Sequence, residues 1–380
     1  MSRILTTHTG SLPRPEDLAQ MIFDRDDGGT VDGFDDRVRR AVRDIVAEQL
    51  EAGVDLVNDG EQSKIGYSTY VKDRLTGFDG EAERPASRRP EMEEHPDFAQ
   101  RWATQIGSVR LRAPACTGEI RLKDPSAVRR DIDNLKAAAK EAGVDESHLF
   151  LSAASPGVVS HFFANHYYPN REAFLAAIAD AMREEYRAIV EAGITLQLDC
   201  PDLAMSRHSM FADKTLEEFR REIELGVEAL NHAVDGLAPE RLRVHICWGN
   251  YEGPHTHDVE LKDIIDVVLT ARANGISVEA CNPRHAHEWQ VFENVKLPDG
   301  KYLIPGVVDS TNNYVEHPDV VAQRLLRYAD VVGAERVVGG SDCGFGTFTG
   351  MATVAPSITW AKLHSLSEGA RRASAKLGLS

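Results

Sequence analysis

Four residues have types and positions suited to chemistry: His245 and Cys247 in RVHICWGN, Glu279 in ISVEACN and Cys343 in GGSDCGFG. Each closes a short apolar, β-branched run that gives way to Gly, Asn or Pro. That placement puts all four where parallel strands empty into loops. Two thiolates, an imidazole and a carboxylate converging there make a four-coordinate zinc site, because zinc takes N, S and O ligands tetrahedrally. His245 and Cys247 are two apart on one strand, so both side chains face the same way. An H-x-C triplet alone reads better as a hydrogen-bonded core histidine beside a small buried thiol. A carboxylate on the neighbouring strand end and a second cysteine after the last strand favour the metal.

The elements that position these groups follow from periodicity. Eight runs read as buried parallel strands: Ile4–Thr9, Asp55–Gly60, Leu149–Ser155, Thr195–Asp199, Arg243–Cys247, Ile276–Ala280, Leu303–Asp309 and Arg336–Ser341. Amphipathic helical stretches separate most of them, among them Phe34–Ala52, Arg171–Ala192, Leu216–Val234, Leu261–Ala273 and Pro318–Val332. The triplet EAG at Glu51–Gly53 and Glu191–Gly193 ends a helix on glycine and leads into a strand. Strand and helix alternating eight times predict an α/β fold, a (β/α)8 TIM barrel spanning 1–380 as one catalytic domain. Two stretches break the rhythm. The charged, Pro-rich GFDGEAERPASRRPEMEEHPDFAQ reads as a solvated excursion, and Ser108–Ile120 alternates like a hairpin strand. Together they form a predicted insertion, residues 74–122, after the second strand.

Barrel enzymes gather their chemistry at the C-terminal ends of strands. Polar residues fall there strand after strand: Ser11, Glu61, Ser155, Asp199, the four named above, Asp309 and Asp342. A core position would otherwise hold Val, Ile or Leu, so this many ionisable groups call for a reason. Glu61 and Asp199 read equally as acids tied to backbone amides and as binders of a cationic or hydroxyl group. His255 and His257 in GNYEGPHTHD read as solvated loop histidines. Cys200, Cys281 and Cys116 read as packing or inert thiols.

The 380 residues carry a formal charge of −17, which opposes nucleic-acid binding. No apolar run approaches the ~20 residues that span a bilayer. Met1–Pro15 lacks the features of a secretory signal, and five cysteines without tight spacing do not suggest a disulfide framework. The expected setting is cytoplasmic, with small-molecule partners and no membrane.

These motifs, in this order, resemble the catalytic domain of cobalamin-independent methionine synthase. TTHTGSLPRP resembles that family's opening strand, VNDGEQ its second-strand acid motif and LQLDCPDL its aspartate-bearing strand; HIC, SVEA and DCGFGT resemble its zinc motifs. The resemblance covers nearly the whole chain. It implies His245, Cys247, Glu279 and Cys343 as Zn2+ ligands, and Thr9, Ser11, Glu61 and Asp199 as holders of the amino-acid part of a homocysteine-like thiol. Asp309 joins the substrate-binding set. Against that resemblance, these 380 residues are expected to hold one barrel and not the second barrel of the classical enzyme, and Thr311 stands where the family's D-x-H motif has a general-acid histidine. Both departures argue against a methyl-folate donor. The chain is more similar to the short, single-barrel branch, which includes epoxyalkane:coenzyme M transferases.

The implied chemistry is S-methyl or S-alkyl transfer to a thiol. A free alkyl thiol, with a pKa of ~8.5, is mostly protonated at neutral pH, and a bound metal favours the attacking thiolate. Epoxide opening by a sulfonated thiol is the alternative enzyme reading. It needs a proton donor, for which Tyr167, Tyr168, His8 and His255 are candidates, and an arginine for the sulfonate. A non-catalytic metal-binding barrel and a decarboxylase of the uroporphyrinogen decarboxylase type remain as readings of another class.

Overall fold

A computed structural model describes residues 3–80, 89–105, 113–351 and 353–379. Seven parallel strands form one curled sheet: β1 (Leu5–Thr6), β2 (Phe150–Ala154), β3 (Thr195–Asp199), β4 (Leu242–Ile246), β5 (Gly275–Glu279), β6 (Tyr302–Val308) and β7 (Val338–Ser341). Their spatial order is β1-β7-β6-β5-β4-β3-β2. Nearly every strand residue is buried, as expected when helices cover the outer face and side chains fill the inside.

The predicted second strand, Asp55–Gly60, is reduced to one parallel bridge between Val57 and Leu149. It still joins the two sheet edges. Leu56 N donates to Thr6 O on β1 (2.9 Å), while Phe150 N on β2 donates to Val57 O (3.1 Å). Beyond Val57, side chains replace the ladder. Asn58 N donates to Gln49 Oε1, Asn58 Nδ2 to Gly10 O, and Gly60 N to Asn58 Oδ1. The eight-stranded (β/α) arrangement is therefore present, with its second member shortened to a tether.

The flanking helices form for reasons visible in their residues. In Phe34–Glu51, Val38, Ala41, Val42, Ile45 and Val46 are buried at helical spacing, and Gly53 (φ 80°) follows its end. Leu216–Ala233 opens on a reciprocal capping box between Thr215 and Glu218. The expected helix over Leu261–Ala273 is only a 3-10 turn and a short helix, Ile265–Val268. Four β-branched residues between 264 and 268 are poor helix formers, and the Thr270 hydroxyl bonds back to Val267 O.

The charged stretch after Gly77 is largely exposed where it is described, but it is not without regular structure. Its described part contains two helices, Pro90–Glu94 and Pro96–Gln105, both opening on proline. Part of the predicted hairpin Ser108–Ile120 lies outside the described residues. Within them, Ala115 pairs antiparallel with Gly80, and Leu122 with Leu75. Among the described residues no helix is long and apolar enough to cross a membrane.

Candidate metal centre and substrate cavity

The strand ends converge on a cavity of about 640 Å³. His245 on β4, Cys247 just beyond it and Cys343 after β7 line its floor, and one ligand atom from each lies within 4.8 Å of the others. Cys343 Sγ stands 3.8 Å from His245 Nε2 and 3.8 Å from Glu279 Oε1. The structure thus brings His245, Cys247 and Cys343 together and sets Glu279 against Cys343.

Supporting contacts fix their orientation. His245 Nδ1 lies 3.1 Å from Ser277 Oγ, leaving Nε2 for the cluster. Glu279 accepts from Trp248 N (2.8 Å) and Asn282 Nδ2 (3.2 Å). Gly344 lets the loop after β7 approach the loop after β1, since a Cβ there would fall 2.1 Å from Ser11 Oγ.

Electrostatics show what the protein atoms lack. Burial, with Arg243 nearby, lowers the His245 pKa to about 3, so the imidazole is neutral and able to ligate. The hydrogen bond with Cys247 and burial push the Cys343 thiol far above its ordinary value, and burial raises Glu279. Stripped of a counter-charge, the cluster resists forming its anions. A divalent cation reverses that preference, and two soft sulfurs, one imidazole and one carboxylate fit the donor requirements of zinc.

Above the floor sits a second set of acids. Glu61 and Asp199 are buried and line the same cavity. Burial, then repulsion from Glu61, raises the Asp199 carboxyl well above the carboxylate range, although Gln197 Nε2 donates to it at 2.9 Å. Glu61 holds a left-handed backbone (φ 56°), which costs about 1–2 kcal/mol for a residue with a Cβ. Donation of its N–H to Asp59 Oδ1 and acceptance from Arg14 at its carbonyl hold the turn. Its Oε1 accepts from Ser152 Oγ, while Oε2 has no partner among the described residues. A pair of buried acids with an unused oxygen is arranged for a cation.

The other expected residues separate. Thr9 and Ser11 line the cavity, and Thr9 Oγ1 donates to Ser341 O (3.1 Å). Asp309 is not among the lining residues. Its Oδ1 accepts from Thr311 N, Thr311 Oγ1 and Asn312 N, so it organises the turn after β6 and holds Thr311 there.

Two further groups of potential ligands are already satisfied. In Cys281–Asp309–Asp342, both Asp342 oxygens take backbone N–H groups of residues 280–282. In the other, Asp258 Oδ2 faces His255 Nδ1 (2.7 Å) and His285 Nε2 (2.9 Å). His285 Nδ1 faces Glu288 Oε2 (2.8 Å), and His255 Nε2 faces Tyr251 O (3.2 Å). With acceptors at both nitrogens, each ring must carry two protons. Burial opposes the charge, but the acidic partners outweigh it: His255 is raised and His285 reaches about 10. These are buried imidazoliums. The expectation that His255 is solvated is wrong; only His257, paired with Glu94, reaches the surface.

Sequence reasoning also missed the roof. Met92 and Trp102, from the two helices after Arg89, join Tyr67, Phe162 and Phe348 in lining the cavity. Trp102 packs edge-on against Tyr251 at 5.5 Å, and the Tyr251 hydroxyl donates to Glu91. The apolar spacing of Met92, Phe98 and Trp102 was the available signal, obscured by the charges between them. His208, another lining residue, carried no signal beyond following the strand of Asp199.

Comparison with known proteins agrees with this geometry. Residues 167–359, just over half of the chain, match the family described as "Cobalamin-independent synthase, Catalytic domain". The methionine synthase of Saccharolobus solfataricus is 25% identical over 371 residues, covering 96% of this chain and 93% of that one. The 2-hydroxypropyl-CoM lyase of Xanthobacter autotrophicus is 25% identical over 408 residues, covering 98% and 96%. In fold, the B12-independent methionine synthase of Shewanella sp. W3-18-1, solved with selenomethionine, superposes with a TM-score of 0.73 at 21% identity over 99% of both chains. The chain belongs to the cobalamin-independent methionine synthase family, of the catalytic-domain type.

Proposed function

We propose that the protein is a zinc-dependent S-methyl- or S-alkyltransferase acting on an amino-acid thiol of the homocysteine class. The observation that carries this reading is one cavity lined both by His245, Cys247 and Cys343, with Glu279 set 3.8 Å from Cys343 Sγ, and by the Glu61–Asp199 acid pair. The first suits a metal that binds sulfur and the second an ammonium group. Zinc held by those four residues would supply the charge that keeps an incoming thiol in its thiolate form at neutral pH. Glu61 and Asp199 anchor the ammonium, and Thr9 and Ser11 flank it. This anchoring fixes the sulfur in one orientation and lowers the entropic cost of attack. The aromatic roof excludes water from the reacting carbon. Sulfur forms a bond to that carbon as the bond to the leaving group breaks, and the leaving group takes the electron pair.

The turn after β6 offers no proton for a folate donor. Thr311 cannot replace the general-acid histidine, and its hydroxyl is committed to Asp309. The second reading, opening of an epoxide by a sulfonated thiol, is favoured by one cavity residue, Arg89, and by the Xanthobacter relative.

A thiol panel separates the two. Metal-loaded protein is given homocysteine, its desamino analogue 4-mercaptobutanoate, or coenzyme M, each with trimethylsulfonium and with epoxypropane. The amino-acid reading predicts the highest kcat/KM for homocysteine. Preference for coenzyme M would transfer the assignment to the second reading, and no alkylation of any thiol would remove both.

A further inference from the structure

We propose that His208 is the proton donor to the leaving group, acting through Nε2 and positioned by Asp258. This rests on the transferase reading above and deepens it. It implies an electrophile that departs as a basic oxygen or nitrogen and so needs a proton.

A thiolate can displace a neutral leaving group, such as a thioether from a sulfonium, without acid help. An alkoxide or amide leaving group is far more basic and departs at a useful rate only if protonated as the bond breaks. The residues first considered for this task do not reach the cavity. His8 faces Gln49 and packs against Phe150, and Tyr168 receives Ile120 N at its hydroxyl. Tyr167 is 53% exposed, and His255 spends both nitrogens on Asp258 and Tyr251. Thr311 is held in its turn.

His208 remains. It is 4% exposed and lines the same cavity as Cys247 and Cys343. Its Nδ1 lies 2.9 Å from Asp258 Oδ1, an ion-pair contact in which neither atom reaches hydrogen-bond geometry, and Nε2 is not among the enclosed, unpartnered atoms of the described residues. Asp258 is well fixed: its other oxygen is shared by His255 and His285, and Trp248 stacks on His285 at 3.9 Å. The ring therefore meets a carboxylate at Nδ1 and lines the cavity with its remaining edge, the arrangement a general acid requires. His161, whose charged form is disfavoured by burial and by nearby His208, stands on the Pro156–Phe162 helix beside it.

Other cavity groups suit the role less. Asp199, once paired with an ammonium, holds no proton, and the Tyr251 hydroxyl is donated to Glu91. His245 directs Nε2 at the thiols.

The proton balance closes. As the C–S bond forms and the carbon–oxygen or carbon–nitrogen bond breaks, the electron pair goes to the departing atom, which takes the Nε2 proton. His208 is left neutral and regains a proton from solvent; the thiol's own proton was released on binding. The net reaction converts thiol and alkyl donor into thioether and protonated leaving group.

The test uses two leaving groups on one protein. Metal-loaded wild type, His208→Gln and Asp258→Asn alkylate homocysteine with trimethylsulfonium, which releases neutral dimethyl sulfide, and with epoxypropane, whose opened ring leaves an alkoxide on the product that must be protonated. The expected result for His208→Gln is a loss of about 10²–10⁴-fold in kcat with the epoxide, against less than about threefold with the sulfonium. Asp258→Asn should show the same selective loss in smaller degree. Equal losses with both electrophiles, or loss of bound metal, would show a structural role and overturn the proposal. Unchanged epoxide turnover in His208→Gln would overturn it as well. In each of these cases wild-type turnover leaves the transferase reading intact. Only a wild type that alkylates thiols with neither electrophile removes that reading, and this proposal with it.

Discussion

Replacing His285 with glutamine should weaken the fold in a way that depends on pH. In the folded protein the ring lies between Asp258 and Glu288 and keeps its second proton up to about pH 10. In the unfolded chain it titrates near 6.5. A histidine whose pKa is raised on folding contributes its full stability below the unfolded value. That contribution declines as pH rises and is gone above about 10. The interval from 6.5 to about 10, at 1.36 kcal/mol per pH unit, gives a ceiling of about 5 kcal/mol. Independently, removing one partner from a buried ion pair costs about 3–5 kcal/mol. Both lines predict a His285→Gln protein less stable than wild type by about 3–5 kcal/mol at pH 6–7, with the gap closing to about 1 kcal/mol or less near pH 10.5. Urea denaturation of both proteins at half-unit pH steps measures the gap directly. Other groups that titrate in this range, such as Lys301, which burial lowers to about 8, are common to both and cancel. A gap that stays constant from pH 6 to 10, or that is below about 1 kcal/mol at pH 7, would refute the buried imidazolium.

Asp199→Asn should erase the preference for homocysteine over 4-mercaptobutanoate, a loss of about 2–3 kcal/mol in binding. Affinity for the desamino thiol should stay within about threefold, and an intact preference would remove Asp199 from the ammonium site. Gly344→Ala places a methyl group against Ser11 and should cost about 1–3 kcal/mol of stability. The same substitution should lower metal affinity, because Cys343 is the preceding residue; unchanged thermal stability and metal retention would show that the two loops part freely.

Much of the architecture could be read from strand-like apolar runs, because parallel strands buried on both faces leave a simple pattern. The Glu279 position followed from that register, as did the His245–Cys247 pair. Where side chains replace backbone pairing, the pattern failed: Asp55–Gly60 carries an apolar run, yet Asn58 and Gln49 take over its hydrogen bonds. Asp309 sits at a strand end like the cavity acids, but three local donors claim it, and a one-dimensional reading cannot separate those fates. His255 has polar sequence neighbours, which suggested solvent. Its real environment comes from Asp258, His285 and Tyr251 together, so its burial is a property of the folded loops. The roof helices were hidden for a similar reason: most of their charges are exposed, Glu91 excepted, while Met92 and Trp102 line the cavity.

The most direct test is zinc K-edge X-ray absorption on the purified protein, with and without homocysteine. The expected spectrum shows about one zinc per chain with two sulfur neighbours near 2.3 Å, and a third sulfur once the thiol is added. Cys247→Ser and Cys343→Ser should each lose the metal while remaining folded. A sulfur count that homocysteine leaves unchanged, or full zinc occupancy in both serine variants, would contradict a thiol-activating centre at these residues.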